Sequence, residues 1–133
     1  MHMNQQMTWY AELVKPAWAP PAWLFGPVWS VLYLIIFATF GYVFYLAYKG
    51  SVPLLIALPF ALNLLFNFAF TPLQFGLQSN LLAAIDIVLV LGTLVWALWV
   101  IYPYHPFITY ANLPYLLWVC FATTLQLTIT YLN

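Results

Sequence analysis

Charge is what this sequence has least of. Of its 133 residues 3% are charged, namely Glu12, Lys15, Lys49 and Asp86, and arginine is missing altogether. Without a basic stripe, neither a nucleic acid nor an anionic membrane surface is expected as an electrostatic partner. Cysteine is almost absent too. The single Cys120 excludes a disulfide within the chain and any multi-cysteine metal centre. Inside an apolar run, a small buried hydrophobe is the plain expectation for it. The two histidines are His2, near the N-terminus, and His105, in a proline-flanked loop, so they make no helix-spaced metal pair. For His105 a solvated interfacial side chain is a plainer reading than a haem-iron ligand. There is no glycine-rich phosphate loop, no pair of carboxylates inside an apolar segment, and no serine or cysteine set beside a base. The leading MHMNQQMTWYAELVK lacks the basic start and apolar stretch of a signal peptide.

What the chain has instead is apolar side chain, 67% of its residues, far more than the core of a soluble domain of this size can absorb. A single all-α membrane bundle is expected over residues 1–133, with a proline- and tryptophan-rich loop over 1–21. Four candidate spans follow, at about 22–48, 52–70, 80–102 and 107–132, each with the roughly 20 residues that a helix needs to cross a ~30 Å hydrocarbon layer. The breaks carry turn chemistry: Lys49-Gly50-Ser51 before Pro53, Thr71-Pro72 through Ser79, and Tyr102-Pro103-Tyr104-His105-Pro106. Loops this short make consecutive helices antiparallel neighbours and put both ends of the bundle on one side. Lys15 and Lys49 flank the first span from opposite sides, so the positive-inside rule leaves orientation open.

Helical spacing predicts which side chains converge. Pro59, Asn63 and Asn67 recur every four residues on the second span, with Phe70 one step further. An asparagine in lipid needs a partner, and an interhelical hydrogen bond is worth about 1 kcal/mol. Phe25, Trp29, Tyr33 and Phe37 make an aromatic stripe on the first span, a pattern that core packing explains as readily as a binding wall. On the last span Pro114, Trp118, Ala122 and Gln126 share a face that sets a large ring beside a small residue. Asp86 is the only acid inside a predicted span. Such a residue is a functional candidate, but its place near the helix start favours a helix-to-helix hydrogen bond over proton relay. Trp18, Trp23, Tyr102, Tyr104 and Tyr110 fall where interfacial rings belong. VFYLAYK, at 43–49, fits a cholesterol-recognition pattern of hypothesis grade.

The ordered run Trp9-Tyr10, Lys15-Pro16, Trp18, Pro20-Pro21, Phe25-Gly26, Val28-Trp29, Leu32-Tyr33 resembles the opening of the TspO/MBR family of tryptophan-rich sensory proteins. The resemblance continues through ALNLLFNFAFTPLQF at 61–75, Ala84-Ile85-Asp86 and PYLLWVCFATTL at 114–125. It implies an apolar ligand cavity at Tyr10, Trp29, Asn67, Phe70, Trp118 and Ala122, to which the aromatic stripe adds Tyr33, with Asn63 and Asp86 structural. The ligand it implies is a flat porphyrin or haem-type tetrapyrrole, with no other cofactor. The alternatives are light-dependent porphyrin degradation, with Trp29 and Trp118 as the reacting indoles, or transport of tetrapyrroles or lipids. The family has five transmembrane helices, the first preceding Trp9-Tyr10. The expectation here is four helices, either a short form of the family or a chain whose first helix lies outside this sequence; the flank this leaves open, along the first two spans, is expected to be covered by a second copy through Ala38 and Gly41, giving a homodimer.

Overall fold

The computed structural model describes residues 13–14, 16–19 and 22–133. Among them every regular element is helical: α1 Phe25–Tyr48, entered through a 3-10 turn at Ala22–Leu24; α2 Leu54–Thr71, widening into a π-type turn at Pro72–Gly76; α3 Asn80–Ile101; α4 Pro106–Ala111; and α5 Leu113–Leu132. The four long helices, α1, α2, α3 and α5, are each long and apolar enough to cross a membrane.

Local chemistry sets where each helix stops. At the end of α1, Gly50 takes φ +79°, its N–H donates to Ala47 O at 3.1 Å, and Ser51 N–H reaches back to Leu46 O at 2.8 Å. This is the paired closure that a left-handed residue after a helix makes possible. After α2, Gln78 occupies the same region with φ 53°, while Leu77 N–H donates to Pro72 O at 2.8 Å and Ser79 N–H to Leu73 O at 3.1 Å. Ser79 then opens α3, its Oγ accepting the Leu82 N–H at 3.1 Å, as a capping serine does.

The last span departs from expectation. Where the hydropathy predicts one helix over 107–132, the chain forms α4, breaks at Asn112 and restarts as α5. Two residues share the cause: Pro114 has no N–H to continue the ladder and its ring crowds the turn before it, and Asn112 supplies the bonds that hold the break. Asn112 closes α4 by donating its N–H to Ile108 O and Thr109 O, both at 3.2 Å, and it is fully buried. Its side-chain Nδ2 bonds Ile108 O at 2.9 Å and Thr39 Oγ1 of α1 at 3.0 Å.

The core runs along α3, whose Ala83, Ile87, Val90, Leu94, Ala97 and Ile101 are all buried and which packs along α2 and α5. α1 contributes Leu32, Ile36, Phe40 and Val43, spaced by four, four and three, the stripe by which a helix buries one face. Phe40 meets Phe60 of α2 edge-on, with centroids 4.8 Å apart. The outward faces stay apolar, with Leu34, Leu54 and Trp99 at least 74% exposed, which is what acyl chains require of a spanning helix. Cys120 corrects the expectation of a buried residue: it is exposed on α5. In a segment apolar all round, hydropathy cannot tell the lipid face from the core face.

Candidate ligand site

Pro59, Asn63 and Asn67 are all buried along α2, as their spacing requires, and the two asparagines anchor a chain of hydrogen bonds through the bundle. Tyr33 Oη of α1 donates to Asn67 Oδ1 at 2.8 Å. Asn67 Nδ2 donates to Tyr115 Oη of α5 at 2.8 Å, and Tyr115 donates to Asn63 Oδ1 at 2.8 Å. Asn63 Nδ2 ends the chain on α3, at Val90 O (2.9 Å) and Thr93 Oγ1 (3.2 Å). All four long helices are thereby joined.

Tyr115 is the residue that sequence reasoning missed. Its ring is completely buried, and it lies one position beyond Pro114, on a different face from Pro114, Trp118, Ala122 and Gln126. The sequence carried only half of the signal: two asparagines in lipid demand partners, but Tyr110, Tyr115 and Tyr131 all fall within 107–132, and spacing alone does not choose among them. Asn112 went unnoticed in the same way.

Aromatic rings flank the chain. Trp29 sits 5.4 Å from Tyr33 and 6.3 Å, edge-on, from Tyr115. One turn earlier on α1, Phe25 meets Trp118 edge-on at 5.8 Å, and Trp118 continues to Phe121 at 5.5 Å and, through it, to Trp18 at 5.7 Å. The α1 stripe therefore faces α5 through Phe25 and Trp29. At its other end Tyr33 stacks on Phe37 (5.4 Å, 11°), and Phe37 is 56% exposed. Phe70 and Ala122 pack, partly buried, against the same core. The buried indole Nε1 of Trp118 has no hydrogen-bond partner among the described residues. Tyr10 lies outside the described residues.

Asp86 is buried on α3 one turn before Val90, and its Oδ2 has no partner among the described residues, nor has the buried Thr123 Oγ1 of α5. Gln126 reaches Asn80 O at 3.3 Å and Thr130 Oγ1 at 3.2 Å. The His105 ring stands edge-on to Tyr42 (5.7 Å) and Phe107 (5.5 Å). Within the 43–49 stretch, Lys49 Nζ lies 5.7 Å from the centroid of the Tyr45 ring. Ala38 and Gly41 are both on the exposed side of α1.

Fold and site together define a helical membrane protein with four apolar spans among the described residues, a buried tyrosine–asparagine chain and tryptophans arrayed beside it. The TspO/MBR family model matches residues 1–132. The tryptophan-rich protein TspO of Archaeoglobus fulgidus is 37% identical over 95% of this chain and 80% of its own length. For the human translocator protein the identity is 35%, over 92% of this chain and 73% of that protein. The uncharacterized membrane protein YtaB of Bacillus subtilis is 33% identical over 94% of this chain and 80% of its own length. The chain belongs to the TspO/MBR family.

Proposed function

We propose that this protein is a membrane receptor for flat, hydrophobic ligands of the porphyrin class, held against the tryptophans of α1 and α5. The observation that carries the reading is Trp118, whose buried indole N–H has no partner among the described residues while its ring is fixed edge-on by Phe25. A buried donor left unmatched costs free energy, and a ligand acceptor such as a porphyrin carboxylate or carbonyl would satisfy it. Trp29, Tyr33 and Phe25 supply ring faces of the kind that bind extended π-systems.

The test is a titration of the purified protein with protoporphyrin in darkness, followed by illumination of the same sample. Saturable quenching of tryptophan emission is expected in the dark. The double variant Trp29→Phe, Trp118→Phe keeps most of the apolar area but loses both indole N–H groups, so it is expected to bind several-fold more weakly. Dark binding equal in both proteins would reject the role given to Trp118. A new chromophore that forms only in light, and only with the tryptophans present, would instead assign porphyrin degradation, with the two indoles as its reacting groups.

A further inference from the structure

One main-chain carbonyl decides the direction of the whole hydrogen-bond chain. Val90 O can only accept, so the Asn63 group facing it at 2.9 Å is the amide nitrogen Nδ2. Asn63 Oδ1 is thereby turned to Tyr115, 2.8 Å away, and Tyr115 must donate. A phenol has one proton, so Tyr115 Oη has only acceptor capacity left for Asn67, which presents Nδ2 to it at 2.8 Å. Asn67 Oδ1 consequently faces Tyr33 at 2.8 Å and takes the single Tyr33 proton. What Tyr33 Oη has left is a lone pair.

Exposure isolates that end of the chain. Asn63 and Tyr115 are 0% exposed, Asn67 6% and Thr93 8%, whereas Tyr33 is only partly buried and lies in the aromatic row between Trp29 and Phe37. A molecule lying along those rings reaches the polar chain at Tyr33 before any other member.

We infer that Tyr33 is the polar selectivity contact of the aromatic site, favouring flat ligands that bring an N–H or O–H donor to it over those offering only acceptors. Asn67 is the positioning residue behind it, holding the phenol proton inward. This rests on the flat-ligand reading above and specifies which hydrogen-bonding edge such a ligand turns toward α1. The orphaned Trp118 N–H on α5 asks for the complementary group, an acceptor.

The experiment compares two probes with the same flat ring system, 1-hydroxypyrene and 1-methoxypyrene, by fluorescence titration of the detergent-solubilised protein. The ratio of their dissociation constants is measured in wild type, Tyr33→Phe and Asn67→Leu; partition into detergent is common to all three and cancels when ratios are compared. Relative to Tyr33→Phe, the wild type is expected to favour the hydroxyl probe by about three- to tenfold, the effect of one neutral hydrogen bond. Asn67→Leu frees the Tyr33 proton, so the ether oxygen gains a donor and the ratio moves toward 1-methoxypyrene. A purely structural role for Asn67 would weaken both probes alike and leave the ratio unchanged, which overturns the positioning assignment. An identical ratio in wild type and Tyr33→Phe overturns the inference as a whole, and since Tyr33→Phe keeps the ring and its stacking, that comparison does not depend on Asn67→Leu folding. Protoporphyrin binding without binding of either pyrene overturns Tyr33's role alone. Failure of all three ligands to bind defeats the receptor reading, and this inference with it.

Discussion

At the scale of single residues, the polar side chains inside this bundle are few, and nearly all their value depends on mutual satisfaction. Tyr115 shows this most sharply. Removing its hydroxyl leaves Asn67 Nδ2 and Asn63 Oδ1 without the partner each has at 2.8 Å, in a site where Asn63 has no exposure at all. Tyr115→Phe is therefore expected to destabilise the protein by about 1–3 kcal/mol, the cost of stranding buried polar groups. Membrane hydrogen bonds taken singly average nearer ~0.6 kcal/mol, so a result near the upper figure would mark the chain as acting together. Reversible unfolding in mixed micelles measures it, and a Tyr115→Phe protein as stable as wild type would remove the chain from the account of stability. The α2 half of this arrangement was legible, because Pro59, Asn63 and Asn67 repeat at helical spacing. The α5 half was not: a tyrosine among leucines and a tryptophan reads as one more aromatic, and only the bundle's geometry shows which ring points inward.

At the scale of elements, proline and asparagine decide what hydropathy cannot. The apolar signal runs unbroken through α4 and α5, yet the helix stops at Asn112, whose side chain then ties the break to Thr39 of α1 at 3.0 Å. Two substitutions separate the local cause from the tertiary one. Pro114→Ala returns an N–H to the chain but leaves every Asn112 bond in place, so a change within ~1 kcal/mol is expected, typical of a substitution whose main effect is on backbone freedom. Asn112→Leu removes the bonds to Ile108 O and Thr39 Oγ1 and should cost about 1–3 kcal/mol. Its readout beyond the melting midpoint is amide exchange at Leu116, the residue whose N–H bonds Asn112 O at 2.9 Å. Protection at Leu116 is expected to survive Pro114→Ala and to fall in Asn112→Leu; the reverse order would mean that proline alone holds the break.

At the scale of the whole molecule, the four crossings among the described residues and a near absence of charge leave the ends of the helices to define its two sides. At ~1.5 Å per residue, α2 with its 18 residues spans about 27 Å and α1 with its 24 about 36 Å. The first therefore barely matches a ~30 Å hydrocarbon layer and the second overreaches it, which places Tyr48, 86% exposed, and Lys49 at an interface. The chain segment before α1 meets the end of α5, Val14 N–H donating to Asn133 Oδ1 at 3.2 Å and Asn133 Nδ2 to Val14 O at 2.9 Å. Antiparallel order then puts Val14, the turn at Leu77–Ser79 and Asn133 on one side, and Ser51 and Tyr104 on the other. Cysteines placed singly at Ser51, Gln78 and Tyr104, with Cys120 changed to serine because it is exposed, turn this into a measurement in sealed vesicles of uniform orientation. A membrane-impermeant maleimide added from one side is expected to label Ser51→Cys and Tyr104→Cys together, with Gln78→Cys reacting only after the vesicles are opened, or the converse pattern if the orientation is reversed. Either pattern fixes the sidedness that two flanking lysines leave open, whereas labelling of Ser51→Cys and Gln78→Cys from the same side would mean that α2 does not cross, and with it would go the depth at which Asn63 and Asn67 are buried.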